Sequence, residues 1–207
     1  GDALKQVLDN KIYVVDLQAN PPKLAATLTG GKQPSGLSFS PDGKMALVAN
    51  RGDNSISVLS VNGTDVKITV TVAMPDSPSH VTFTPDGKRA LVARFPAHKV
   101  SMLDIAGDKV TYNKIDLPAG QWPYNVAAAP GGKIALTSDN GNAGASDGSV
   151  DTTSVIDLEA DPPRIIDRVV VGDGPEGACN QPQGRRRGCG HSARFQHEER
   201  ILLRKER

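Results

Sequence analysis

The side chains able to do chemistry in this chain are few and unevenly placed. His80 follows Pro78-Ser79 and could serve as a base or a ligand, or could hydrogen-bond a neighbouring loop. Asn50, Arg94 and Asp139 stand 44 and 45 residues apart. An amide, a cation and an acid at one repeated position suit a binding site, although Asn there also suits a plain turn. His98 reads as a hairpin-turn residue facing solvent. Trp122, the single tryptophan, lies between Gln121 and Pro123, placed to stack on a ligand or to pack over an edge. Arg51-Gly52-Asp53 spells an adhesion tripeptide and equally fits a turn. The oxygen-rich stretch from Asp139 to Asp151 could ligate calcium, but its spacing fits no EF-hand loop. Cys179, Cys189, His191 and His197 could be metal ligands, yet their spacing is not that of a standard zinc site. No metal and no cofactor is therefore expected. The chain contains no nucleophile elbow, P-loop, dinucleotide fingerprint or HExxH motif. Catalysis is left open, with the balance against it.

These residues are positioned by a repeat. Pro34-Ser35-Gly36-Leu37-Ser38-Phe39-Ser40-Pro41-Asp42-Gly43-Lys44 is echoed by Pro78-Ser79-His80-Val81-Thr82-Phe83-Thr84-Pro85-Asp86-Gly87-Lys88, and more loosely from Pro123 to Thr137. A fourth start, Pro175-Glu176-Gly177, comes 52 residues after the third, with the extra length in the Gly-rich insertion at 140–148. Within a repeat, Leu37 and Phe39 alternate with serines, the period of a strand. The Ser-Pro-Asp-Gly tetrad supplies a tight turn. Met45 to Ala49 is apolar on both faces, and Ile68, Val70 and Val72 alternate with polar residues. Four short strands per period is the sequence form of a propeller blade, with a sandwich or β-solenoid as the alternative.

The chain therefore reads as all-β, a β-propeller fragment with about three complete four-stranded antiparallel blades plus partial blades at both ends. The expected division is a partial propeller over 1–177, with a half blade at 11–30 and blades at about 34–74, 78–119 and 123–172. The second strand of each blade runs back toward the loop before the first. One face should then collect Asn50, Arg51, His80, Arg94, His98, Trp122, Tyr124, Asn125, Asp139 and Asn140, the candidate ligand-binding residues.

The segment from Pro34 to Val61 resembles the repeat of the YVTN-type β-propellers, which are similar to the seven-bladed lactonase-like group. The naming tetrad is Leu47-Val48-Ala49-Asn50 here, with Leu91-Val92-Ala93-Arg94 and Leu136-Thr137-Ser138-Asp139 in the following blades. The resemblance covers about residues 11–177. It implies a fold, but such propellers serve as enzymes, binding modules and surface proteins alike. It also implies a periplasmic or extracellular setting, although no signal peptide is visible.

Charge and composition narrow the partners. The net charge of +1 splits into −4 over the first 177 residues and +5 over 178–207. An acidic body is a poor nucleic-acid binder, and no apolar run is long enough to span a membrane. After Gly177 the repeat breaks into a basic stretch containing Arg185-Arg186-Arg187. A one-base shift in the coding frame can continue the repeat there, so 178–207 is expected to be an out-of-frame product or disordered. Partial blades expose apolar faces and strand edges, which also raises self-association of a partial ring. The leading expectation is a non-enzymatic binding or scaffold module, engaging a small molecule or protein on the loop face. One alternative is a lactonase-like hydrolase opening a cyclic ester, for which His80→Ala or Arg94→Ala should abolish turnover with the fold intact. The other is a truncated, non-functional product.

Overall fold

A computed structural model describes residues 9–141 and 148–178. Its strands fall into antiparallel sheets that follow the repeat. β1 (Lys11–Asp16) and β2 (Lys23–Thr29) form a two-stranded sheet. The first four-stranded sheet is β3 (Pro34–Phe39), β4 (Met45–Asn50), β5 (Ser55–Asn62) and β6 (Asp65–Ala73), in that spatial order. The second is β7 (Pro78–Phe83), β8 (Arg89–Arg94), β9 (Lys99–Ala106) and β10 (Lys109–Pro118). The third is β11 (Pro123–Ala128), β12 (Ile134–Asp139), β13 (Thr152–Asp157) and β14 (Arg164–Val170). Among the described residues the one helical element is a 3-10 turn, Phe95–Ala97. This is the all-β, propeller-type architecture that the repeat predicts. Residues 179–207, including the basic stretch and both cysteines, lie outside the described residues, as do 142–147 of the inserted loop.

The turn chemistry accounts for the first hairpin of each blade. Asp42 accepts from the Ser40 hydroxyl at 2.7 Å and the Lys44 amide at 3.0 Å, and Gly43 takes φ +71°. Asp86 repeats the arrangement with Thr84 and Lys88, with Gly87 at +68°. In the third blade, where Gly131 replaces the Asp, Gly132 alone supplies the positive φ at +72°.

Packing explains the doubly apolar second strands. Ala46 and Val48 of β4 face Ile12 and the β1–β2 sheet, whereas Leu47 and Ala49 face Val81, Phe83 and Val92 of the next blade. β8 divides likewise, Ala90 and Val92 toward the first blade and Leu91 and Ala93 toward the third. Burial of each such Leu, Val or Phe contributes roughly 1.5–3 kcal/mol. Adjacent blades are also stitched at their inner strands. Ser35 Oγ donates to the Ser79 carbonyl at 2.8 Å, and Ser79 Oγ to the Pro123 carbonyl at 3.1 Å.

One alternating pattern is buried less than it implies. Leu37 and Phe39 are 41% and 57% exposed, while their repeat equivalents Val81 and Phe83 are 0% and 6%. β7 packs against β3 and β4 of the preceding blade, but the two-stranded sheet of β1 and β2 places no corresponding strand pair over β3.

Candidate functional site

The register places the blade ends together. Pro34 pairs with Asn50, Pro78 with Arg94 and Pro123 with Asp139, so the start of each first strand and the end of each second strand share one face. Three tiers of side chains follow from the repeat on this face.

The tier of Asn50, Arg94 and Asp139 points into its own blade. Asn50 is fully buried and donates to Ser55 at 3.0 Å and Ser57 at 2.9 Å. It is thus a brace between the second and third strands, not a turn residue. Arg94 forms two contacts with Asp76, one through Nε at 2.7 Å, and one with Asp116 at 2.6 Å, and it also donates to Ser101 at 3.1 Å. Desolvation works against its charge, but the two carboxylates outweigh it and hold the guanidinium more firmly protonated than usual, with the hydrogen bond to Asp76 the largest influence. Burial pushes the Asp116 carboxyl up, yet hydrogen bonds from Ser101, Tyr112 and Arg94 together hold it below the usual carboxylate range. Among the described residues no cation pairs with Asp139. Burial raises its pKa, and donation from the Thr137, Ser154 and Thr152 hydroxyls lowers it only in part. The expectation that Arg94→Ala would spare the fold is therefore corrected, because the residue is the hub of a buried ion-pair cluster.

The rim tier consists of Arg51, Phe95 and Asn140, one residue further along each blade. The Arg51 guanidinium lies 4.7 Å from the centre of the Phe95 ring. Phe95 also packs against Trp122 at 4.9 Å and Tyr124 at 5.8 Å, and His98 stands edge-on to Trp122 at 4.9 Å. Trp122 is held at φ +54°, and its amide donates to His98 Nδ1 at 2.9 Å. His98 therefore has a protein partner where solvent was expected. The structure gathers Arg51, His98, Trp122 and Tyr124 around Phe95, a residue the sequence reading passed over. Its signal was present, since Phe95 occupies the repeat position of both Arg51 and Asn140. Asp53 of the adhesion-like tripeptide accepts from the Lys32 amide and the Ser55 hydroxyl, as a turn residue does.

The inner tier consists of Gly36, His80 and Asn125, each the third residue of its blade's first strand. Among the described residues His80 Nδ1 is buried with no hydrogen-bond partner, and so is Asn125 Oδ1. Burial lowers the His80 pKa, and a hydrogen bond to the Val126 backbone opposes this only partly. The imidazole is thus neutral around pH 7, with an accepting nitrogen. Asn140 Oδ1, in the rim tier, is likewise buried and unpartnered. Leaving such a group unpaired costs about 1–3 kcal/mol, so at each of these atoms a small donor such as an ordered water would be favoured. Among the described residues no group of three or more His, Cys, Asp or Glu is gathered to hold a metal. No helix there is long and apolar enough to cross a membrane.

Blades of four antiparallel strands with a polar and aromatic loop face define a propeller-type protein. The family described as lactonase, 7-bladed beta-propeller, matches residues 10–137, and the chain belongs to it. No curated protein matches the chain. Among solved structures, a candidate 6-phosphogluconolactonase from Bacteroides uniformis is similar with a TM-score of 0.70 at 17% identity, over 84% of this chain and 56% of that one. Hydrazine synthase of Kuenenia stuttgartiensis is similar with a TM-score of 0.66 at 20% identity, over 79% of this chain and 44% of that one. A Lactobacillus plantarum protein has a TM-score of 0.66 at 17% identity, over 80% and 51% of the two chains. These likenesses are of fold. The chain spans about half the length of the structures it matches.

Proposed function

We propose that the protein is a lactone hydrolase that opens a cyclic ester on the loop face, with His80 as general base. The observation that carries this reading is the lactonase-family match over residues 10–137, within which His80 stands on an inner strand with an unpartnered Nδ1. Hydrolysis requires an acceptor for the proton of the attacking water, and a neutral imidazole supplies it. Asn125, at the same place on the next inner strand, is the second polar group offered to that water. The water oxygen bonds to the acyl carbon as its proton passes to Nδ1. The tetrahedral oxyanion then collapses, the ring C–O bond breaks, and the leaving alkoxide takes the proton back from His80. The product is an open hydroxy acid. Tyr124 and Trp122 offer aromatic faces to the substrate ring, and Arg51 a cation to the new carboxylate.

The lactonase-family match over residues 10–137 supports this reading above that of a non-enzymatic scaffold. The likeness to the Bacteroides uniformis protein, a candidate lactonase, points the same way. The test is acid release in a pH-stat from γ- and δ-lactones, with wild type against His80→Gln. General-base removal should cost about 10²–10⁴-fold in kcat. Equal rates in the two proteins, with both folded, would refute the assignment.

A further inference from the structure

We propose that Gly36 is a positioning residue for His80, its missing side chain forming the seat in which the imidazole lies. Gly36 is buried in the middle of β3, and it is not among the glycines with positive φ. Space, not backbone conformation, is therefore what the position demands. A Cβ built at Gly36 would fall 2.5 Å from His80 Cα, 2.6 Å from its Cδ2 and 2.9 Å from the Ser79 carbonyl oxygen. Real Cβ contacts are not that short, so something would have to give. The backbone of β7 cannot simply retreat, because the Ser79 carbonyl is bonded to Ser35 Oγ at 2.8 Å and the Ser79 hydroxyl to the Pro123 carbonyl at 3.1 Å. The imidazole is thus held against a strand that offers no side chain at this place. Among the described residues its Nδ1 has no hydrogen-bond partner.

The repeat makes the choice of residue specific. The third place of the first strand is Gly36, then His80, then Asn125 in successive blades, so the smallest residue stands beside the bulkiest. A Cβ at Gly36 would tilt the ring out of this seat, change what its nitrogens meet, and let either of them carry the proton.

The consequence for turnover rests on the hydrolase reading, but the seat itself can be tested without turnover. The experiment is long-range 1H–15N NMR of the histidine rings in the 15N-labelled protein across pH, for wild type, Gly36→Ala and Ser35→Ala. Wild type should show His80 as a single tautomer with Nδ1 unprotonated. Gly36→Ala should mix the tautomers and raise the His80 titration midpoint by about half a unit or more, a displacement well within the range folded proteins impose. Ser35→Ala loosens the same strand pair without adding a Cβ, and should leave the His80 tautomer as it is. With a lactone, Gly36→Ala should lose roughly 10–100-fold in kcat with little change in KM, since a misplaced base affects the chemical step.

A folded Gly36→Ala protein with an unchanged His80 spectrum would overturn the proposal. So would a wild-type spectrum with mixed tautomers, whether or not Gly36→Ala folds. If the NMR changes occur and neither protein turns over any lactone, the seat stands and the hydrolase reading fails.

Discussion

Replacing Arg94 with methionine keeps most of the side chain's volume and removes its charge. The guanidinium is the hub of the second blade's polar cluster, with its side chain 4% exposed. The substitution strands two carboxylates. Asp76 loses its ion-pair partner, and Asp116 keeps Ser101, Tyr112 and the more distant Lys99 at 3.7 Å. Removing one member of a buried ion pair costs about 3–5 kcal/mol. Asp76 and Asp116 remain 33% and 21% exposed, so water recovers part of that loss. A destabilisation of about 2–3 kcal/mol follows, since exposed carboxylates are screened. For a chain of this size that is a fall in Tm of roughly 4–12 °C. Urea unfolding followed by circular dichroism measures it, and a cycle with Asp116→Asn separates the pair from the rest. The Arg94→Met/Asp116→Asn double variant should lose less than the sum of the single losses. A single-variant loss below about 0.5 kcal/mol, the level of an ordinary surface change, would refute the reasoning.

Two other predictions follow from the same tiers. The stability of Asp139→Asn relative to wild type should improve as pH rises from about 4 to neutral. The folded-state pKa of Asp139 is raised, so its favourable contribution is complete below the unfolded value of 3.8 and is lost as pH rises through the folded value. Urea midpoints at a series of pH values check this, and a pH-independent difference would contradict it. Trp122 is the only tryptophan and packs against Phe95 on the rim, so its emission should change saturably on titration with a lactone. Phe95→Ala should abolish that response and destabilise the protein by about 3–5 kcal/mol.

Much of the fold was legible because turns and strands here are local. Ser40-Pro41-Asp42-Gly43 carries its own hydrogen bonds, and its recurrence 44 residues later announces a second copy of the same hairpin. The doubly apolar run from Met45 to Ala49 likewise predicted a strand covered on both sides, as Ala46 to Ala49 are. What covers a strand is not local, and so the exposure of Leu37 and Phe39 was not readable from their alternation. The loop-face residues could be grouped by position, but their partners could not. Arg94 is tied to Asp76 and Asp116, 18 and 22 residues away, and that pairing makes it structural. His98 sits in a turn, yet its acceptor nitrogen is taken by an amide 24 residues on. Phe95 escaped because it lies in a 3-10 turn after β8, although its repeat position was already marked by Arg51 and Asn140. His80 stood out by residue type. Its seat at Gly36 emerges only when the inner strands are laid side by side.

On the proposed reading, a neutral His80 takes a proton from water during lactone opening. The most direct measurement is the pH dependence of kcat/KM for a lactone substrate, corrected for spontaneous hydrolysis, in wild type and His80→Gln. Burial holds the His80 pKa below the ordinary value of 6.5, so the acid limb of the wild-type profile should have its midpoint below 6.5. That limb should be absent from the residual activity of His80→Gln. A wild-type protein without turnover, or an acid limb that persists unchanged in His80→Gln, would contradict the account.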